Sequence, residues 1–212
     1  MLNRAVWVCL ALLLAAVPAA MATSSQEKIQ NNKVVVTELS LSPGDGVSIP
    51  GKHAGMVVFL DAGTAAFVGA LGSPRPQPVE RGQILALDTP GETIRNSGSQ
   101  TLNVVRVEFL TPGLQQTWSM AGLSPHYTMI VENRYARAYN IKIPAQSFEP
   151  QHTHHDRVVI CLSGAELEHI LPDGSKQPST LKTGEIAWRL GATHIGHNMG
   201  HTDLWVIAIE PK

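Results

Sequence analysis

The apolar residues of this chain fall into short runs separated by turn residues. "VVVTELSL" (34–41) alternates apolar with polar, as a strand with one buried face does. "GMVVFLDAG" (55–63) is continuously apolar until it stops at Gly63. "QILALD" (83–88) and "LNVVRVEFL" (102–110) follow, with Pro43-Gly44-Asp45-Gly46, Pro50-Gly51, Pro74 to Pro78 and Pro90-Gly91 between the runs. "RAYNIKIP" (137–144), "RVVICLSG" (157–164), "LEHILPDG" (167–174), "GEIAWRL" (184–190) and "LWVIAIE" (204–210) continue the pattern. No segment sustains an apolar period of 3.6, and "GLQQTWSMAG" (113–122) is the best helical candidate, as a linker. Short strands broken by Gly and Pro predict an all-β, antiparallel sandwich or barrel architecture. The polar stretch "TSSQEKIQNNK" (23–33) reads as a flexible lead-in.

The pattern occurs twice. Gly63 and Gly164, Gly82 and Gly184, Gly91 and Gly191, and Asn96 and Asn198 are separated by 100 to 102 residues. A fixed period of turn residues implies two β domains of one plan, here 33–112 and 127–212.

The first 22 residues stand apart. "MLNRAVWVCLALLLAAVPAAMA" places Arg4 before an apolar stretch, then Pro18 and small residues ending Ala20-Met21-Ala22. That order predicts a cleaved secretory signal peptide and a secreted or periplasmic protein; an uncleaved membrane anchor is the competing reading. Loss of Arg4 with the leader takes the formal net charge from −1 to −2 (15 basic against 17 acidic residues), which offers no basic surface for nucleic acid or for an anionic membrane. Cys9 leaves with the leader, so Cys161 cannot form an internal disulfide. It sits in an apolar run and is expected to be buried and inert.

The chemistry concentrates in the second half. Of nine histidines, only His53 precedes residue 126. In "QHTHHD" (151–156), His152 and His154 are two residues apart, so on a strand their imidazoles share a face. Two close imidazoles favour a divalent metal if a third ligand arrives, and "LGATHIGHNMGH" offers His194, His197 and His201. His194 follows the Gly191 turn, at the start of a strand able to reach across a small barrel. His126 and His169 read as surface residues, and Trp188 as core.

His152-x-His154 with a closing Gly164, and Gly184, Gly191, His194, Asn198 at their spacings, resemble the two motifs of the cupins. Arg189 and Leu190 stand where the second motif has proline. The resemblance spans 137–210 and extends more weakly to 39–110. It implies two jelly-roll barrels in tandem, a bicupin, with a site inside the second. It assigns His152, His154 and His194 as metal ligands for Fe, Mn, Ni or Zn. The family's glutamate has no counterpart: the seventh position back from Gly164 is Arg157, which cannot ligate a metal. Either three histidines leave open positions and Arg157 holds an anionic substrate, or Asp156 or His155 moves into the ligand set. His197 and His155 are candidates for a supporting or proton-transfer role. At an offset of 101, His53 aligns with His154, and Gly51 and Met56 stand opposite His152 and Arg157, so the first half lacks the set. The resemblance implies a metal-dependent enzyme, dioxygenase-like or isomerase-like, on a small oxygenated molecule. The alternatives are a non-catalytic small-molecule or sugar-binding cupin and a purely structural one. A homodimer fits all three, and no residue stands out as catalytic.

Overall fold

The computed structural model describes residues 24–68, 75–89, 91–114 and 123–212. The leader 1–22 and most of the helical candidate 113–122 lie outside the described residues. Within them the chain is all β. The first half contains β1 (Ser24–Gln30), β2 (Val34–Leu41), β3 (Gly46–Ser48), β4 (Ala54–Phe59), β5 (Gly63–Val68), β6 (Arg75–Val79), β7 (Ile84–Leu87), β8 (Thr93–Asn96) and β9 (Leu102–Phe109). The second contains β10 (Tyr127–Glu132), β11 (Ala136–Ile143), β12 (His152–His154), β13 (Arg157–Ser163), β14 (Ala165–Ile170), β15 (Lys176–Leu181), β16 (Ile186–Arg189), β17 (Ala192–Asn198) and β18 (Leu204–Pro211). Each half pairs its strands antiparallel into a five-stranded and a four-stranded sheet. The orders are β1-β2-β9-β4-β7 with β3-β8-β5-β6, then β10-β11-β18-β13-β16 with β12-β17-β14-β15.

The repeat is present in the hydrogen bonds. Gly82 N donates to Phe59 O and Gly184 N to Cys161 O, both at 2.8 Å and 102 residues apart. Both glycines turn at positive φ, 81° and 85°, a backbone that side chains resist. Buried Asn96 donates to Leu41 O and Gln100 O; Asn198 donates to Ile143 O and Thr202 O. In both halves the amide knots the same loop. The strand register also moves two of the sequence correspondences. Met56 pairs with Ala86 and Val107, and Val158 with Trp188 and Ile209, so every partner shifts by 102. Arg157 therefore corresponds to Gly55 rather than Met56, and Gly63 to Ala165 rather than Gly164.

Three clusters make the core. Leu41, Val57, Phe59, Ile94 and their neighbours fill the inside of the first half, and Tyr139, Ile141, Val159, Val206 and others that of the second. The third cluster lies between the halves. Val36, Met56, Val107, Val158, Ile160 and Ile207 belong to the two five-stranded sheets, which meet back to back, with Trp188 packed at the margin. Strands β4 and β13 are thus covered on both faces, which is why "GMVVF" and "VVICL" read as unbroken apolar runs. Cys161 is buried inside the second half, and burial pushes its thiol up to about 11. It is a packing residue.

Residues 24–30 correct the expectation of a flexible lead-in. They form β1, in register with β2 from Ser24–Ser40 to Gln30–Val35. Their side chains are mostly exposed, and Ile29 alone among them packs on the core between the halves. Backbone hydrogen bonds to a sheet edge hold the strand, and these carry no apolar signature.

Candidate metal centre

His152 and His154 point inward from β12, with exposed Thr153 between them, and His194 points inward from β17 directly opposite His152. Thr153 and Thr193 join hydroxyls at 2.8 Å on the outer face, which fixes this register. The three imidazoles are buried, at 2%, 4% and 6% exposure. One donor nitrogen of each lies within 4.8 Å of the others, so the set could hold a metal ion. His152 and His154 bring their Nε2 atoms to 2.9 Å.

The donor chemistry suits a divalent transition metal. His152 Nδ1 lies 2.8 Å from the carbonyl of Pro150. It can only donate there, so Nε2 carries the lone pair and faces inward, the tautomer a metal ligand needs. Buried His154 Nδ1 has no hydrogen-bond partner among the described residues. Burial first, and then Arg157 and the neighbouring histidines, hold His154 far below the ordinary histidine range. Burial, with His169 next, lowers His194 to about 3. Neutral imidazoles are the form that binds metals.

These shifts carry a sign for stability. An unfolded histidine takes up its proton near 6.5, whereas His194 in the fold resists until about 3. Between those values the unfolded chain binds more protons, so stability falls with pH. Metal-free protein is expected to lose melting temperature steadily from pH 7 to pH 5. A His194→Gln variant is expected to flatten that slope, and an equal slope in both would remove His194 from the account.

Other groups complete the site. Tyr127 places its hydroxyl 3.2 Å from His154 Nε2. His169 meets His194 edge to face, centroids 4.5 Å apart, and burial lowers its pKa. It is half-buried inside β14 rather than a surface residue, and alternation with inward Ala165 and Leu167 was the signal that placed it. Glu149, 3% exposed, lies with Oε2 3.9 Å from His152 Nε2. Together with Arg157 these residues line a cavity of about 60 Å³, closed elsewhere by Ile141, Val159, Leu167 and Val206.

Arg157 faces this cavity from the inner face of β13. Its Nη1 donates to the backbone carbonyls of His155 at 3.3 Å and Leu190 at 3.4 Å. No carboxylate lies within ion-pair distance of it among the described residues. Burial is the main influence lowering its pKa, yet a guanidinium stays charged at neutral pH. Asp156 turns the other way, accepting from Gly191 N at 2.8 Å and Lys33 Nζ at 3.0 Å. His155 is exposed. His197 points away from the cavity and stacks on exposed Phe148 at 3.7 Å. Asp156, His155 and His197 therefore lie outside the cluster of three.

The first half has no such interior. Its Gly55 stands at the Arg157 position, where a Cβ would overlap the Ile49 side chain and the Val107 carbonyl. His53 is exposed and sits 2.5 Å from Glu108 Oε1.

No family model and no curated protein matches the sequence. Solved structures do match. AerE from Microcystis aeruginosa is 14% identical, aligned over 90% of this chain and 92% of its own, at a TM-score of 0.64. A cupin 2 conserved barrel domain protein from Leptotrichia buccalis is 12% identical over 90% and 89%, at 0.58. Oxalate decarboxylase from Bacillus subtilis is 10% identical over 84% and 68%, at 0.57. At such identities the likeness is one of fold, and the fold is that of the cupins.

Proposed function

We propose that this cupin-fold chain is an exported metalloenzyme. Its second half binds one divalent transition metal through His152, His154 and His194, and a small anionic, oxygenated substrate beside Arg157. One observation carries the reading: two of the three clustered buried imidazoles, His154 and His194, line the same small cavity as a guanidinium without a carboxylate partner. A partly desolvated cation without a counterion is unfavourable, and an anionic ligand relieves that cost. The oxalate decarboxylase of Bacillus subtilis, similar in fold, has Mn(II) centres, which supports Mn among Fe, Mn, Ni and Zn.

A bound metal would supply Lewis-acid or oxygen-activating chemistry. The chain's own residues do the rest. The Pro150 carbonyl fixes the His152 ring. Arg157 orients the anion by charge and by its fork of donors. The Tyr127 hydroxyl, beside His154 Nε2, is placed to hold a proton at the edge of the cavity, and burial keeps that phenol protonated by raising its pKa well above 10.

Arg157→Gln is expected to weaken binding of small carboxylates such as oxalate, pyruvate or acetate by at least about tenfold while metal content stays unchanged. Calorimetry on metal-loaded protein measures both. Equal affinity in the variant would remove Arg157 from the ligand site. Oxygen-uptake and product screens on the same samples separate enzyme from binder, since anion binding without turnover under any metal would favour the non-catalytic reading. Export and a homodimer belong to the same proposal, tested by N-terminal sequencing of the mature protein and by light scattering.

A further inference from the structure

The chain has an acidic group at the centre after all, and it comes from the opposite side of the histidine pair. We propose that Glu149 is the fourth protein ligand of the metal, in the role that Arg157 cannot fill; this rests on the metal-centre reading above.

Glu149 lies three residues before His152, outside regular strand. Its backbone N donates to Gly196 O at 2.8 Å, and the neighbouring Phe148 bridges to His197, which ties this segment to β17. Phe148 faces outward and Glu149 faces the cavity. A carboxyl group only 3% exposed needs partners, yet Oε1 has no hydrogen bond among the described residues. Oε2 lies 3.9 Å from His152 Nε2, the first histidine of the cluster. That is too long for a hydrogen bond. It suits two ligands of one ion: with bonds of about 2.0–2.2 Å, donor atoms lie from about 3 to about 4.2 Å apart. The 2.9 Å between His152 Nε2 and His154 Nε2 falls at the short end of the same range.

Gly196 makes the placement possible. It lies on the inward face of β17, two residues from His194, and a Cβ there would sit 2.5 Å from Glu149 Oε2. The carboxylate occupies a notch that any other residue would fill. The centre is then three imidazoles and one carboxylate, which reduces the charge of a divalent ion by one and favours harder ions such as Mn(II) or Fe(II) over a purely nitrogen set.

The test is titration of metal-free protein with Co(II), read by its visible absorption, for the full mature chain and the variants E149Q and G196A. Expected are a saturable wild-type spectrum, a dissociation constant raised about 10- to 100-fold in E149Q, and a shifted band shape at saturation. G196A, which displaces the carboxylate without removing it, is expected to weaken Co(II) in the same direction. Metal-free E149Q is expected to melt no lower than wild type, because the amide keeps the shape of the carboxyl group and takes its charge out of a buried site. A carboxylate that only supports the fold would give the reverse, a lower melting temperature with unchanged Co(II) affinity and spectrum, and that overturns the proposal. Failure of the wild type itself to bind Co(II) would sink the metal centre as a whole, which keeps the two readings distinguishable.

Discussion

Protein purified without a polyhistidine tag is expected to carry about one divalent transition metal per chain, and the His152→Ala/His194→Ala variant almost none. The two substitutions remove facing residues of β12 and β17 and leave His154 as the one histidine of the trio. One imidazole, even beside a carboxylate, does not retain a metal through purification, since stable sites take three or four ligands. Elemental mass spectrometry gives the ratio, and the melting curve of each metal-free sample shows whether the variant is folded. Both substitutions lie inside the second half, away from the core between the sheets, so a folded variant is expected. Absence of metal from both proteins after reconstitution with Mn, Fe, Ni and Zn would refute the metalloenzyme and leave a metal-free binding or structural protein.

Gly164→Ala is expected to destabilise the chain by about 3 kcal/mol, the upper end for overpacking a site that cannot yield. A Cβ there would overlap the carbonyl oxygen of Leu181 and lie 2.8 Å from Thr183 N and 3.1 Å from Lys182 C. All three are backbone atoms at the end of β15. They cannot withdraw without losing the pairing of Ala165 with Leu181 and the bond from Gly164 N to Thr183 Oγ1. Gly174 is the natural control, because a Cβ there meets nothing within 4 Å and the cost is confined to its positive φ. Urea unfolding of both variants measures the difference. A Gly164→Ala midpoint equal to that of Gly174→Ala would show that the β14–β15 corner is pliable.

The strands were legible wherever burial leaves a period. "VVVTELSL" alternates because one face of β2 is more covered than the other, and "VVICL" does not because both faces of β13 are covered. His152 and His154 were legible for the same reason: two residues of strand return a side chain to the same face. His194 was singled out from His197 and His201 by the resemblance of its spacing to the second cupin motif. What escaped depends on features without a period. Strand β1 is held mainly by amides, with Ile29 its one apolar anchor and Lys28 paired with Glu38. Glu149 points inward from an irregular segment, and a pattern that seeks its acid after the histidine pair passes over one that comes before. His169 was within reach, since Ala165 and Leu167 mark its face. The offset of 101 misplaced Gly55 by one residue, because turn glycines drift where strand pairing does not.

The two five-stranded sheets share their backs, and this gives the half without the histidine trio a purpose. Val158, Ile160, Ile207 and Ile209 lie on the strands that carry or flank the site residues, and all are covered by the other half. Cut away from its companion, the second half would expose a hydrocarbon face and lose the wall against which β13 and β18 are rigid. The two halves share one apolar core with a division of labour, in which one serves as ballast and the other places unmated polar groups in its interior. Drift in the ballast, away from the histidine trio, would reach the site as slackened geometry before it appeared as changed chemistry.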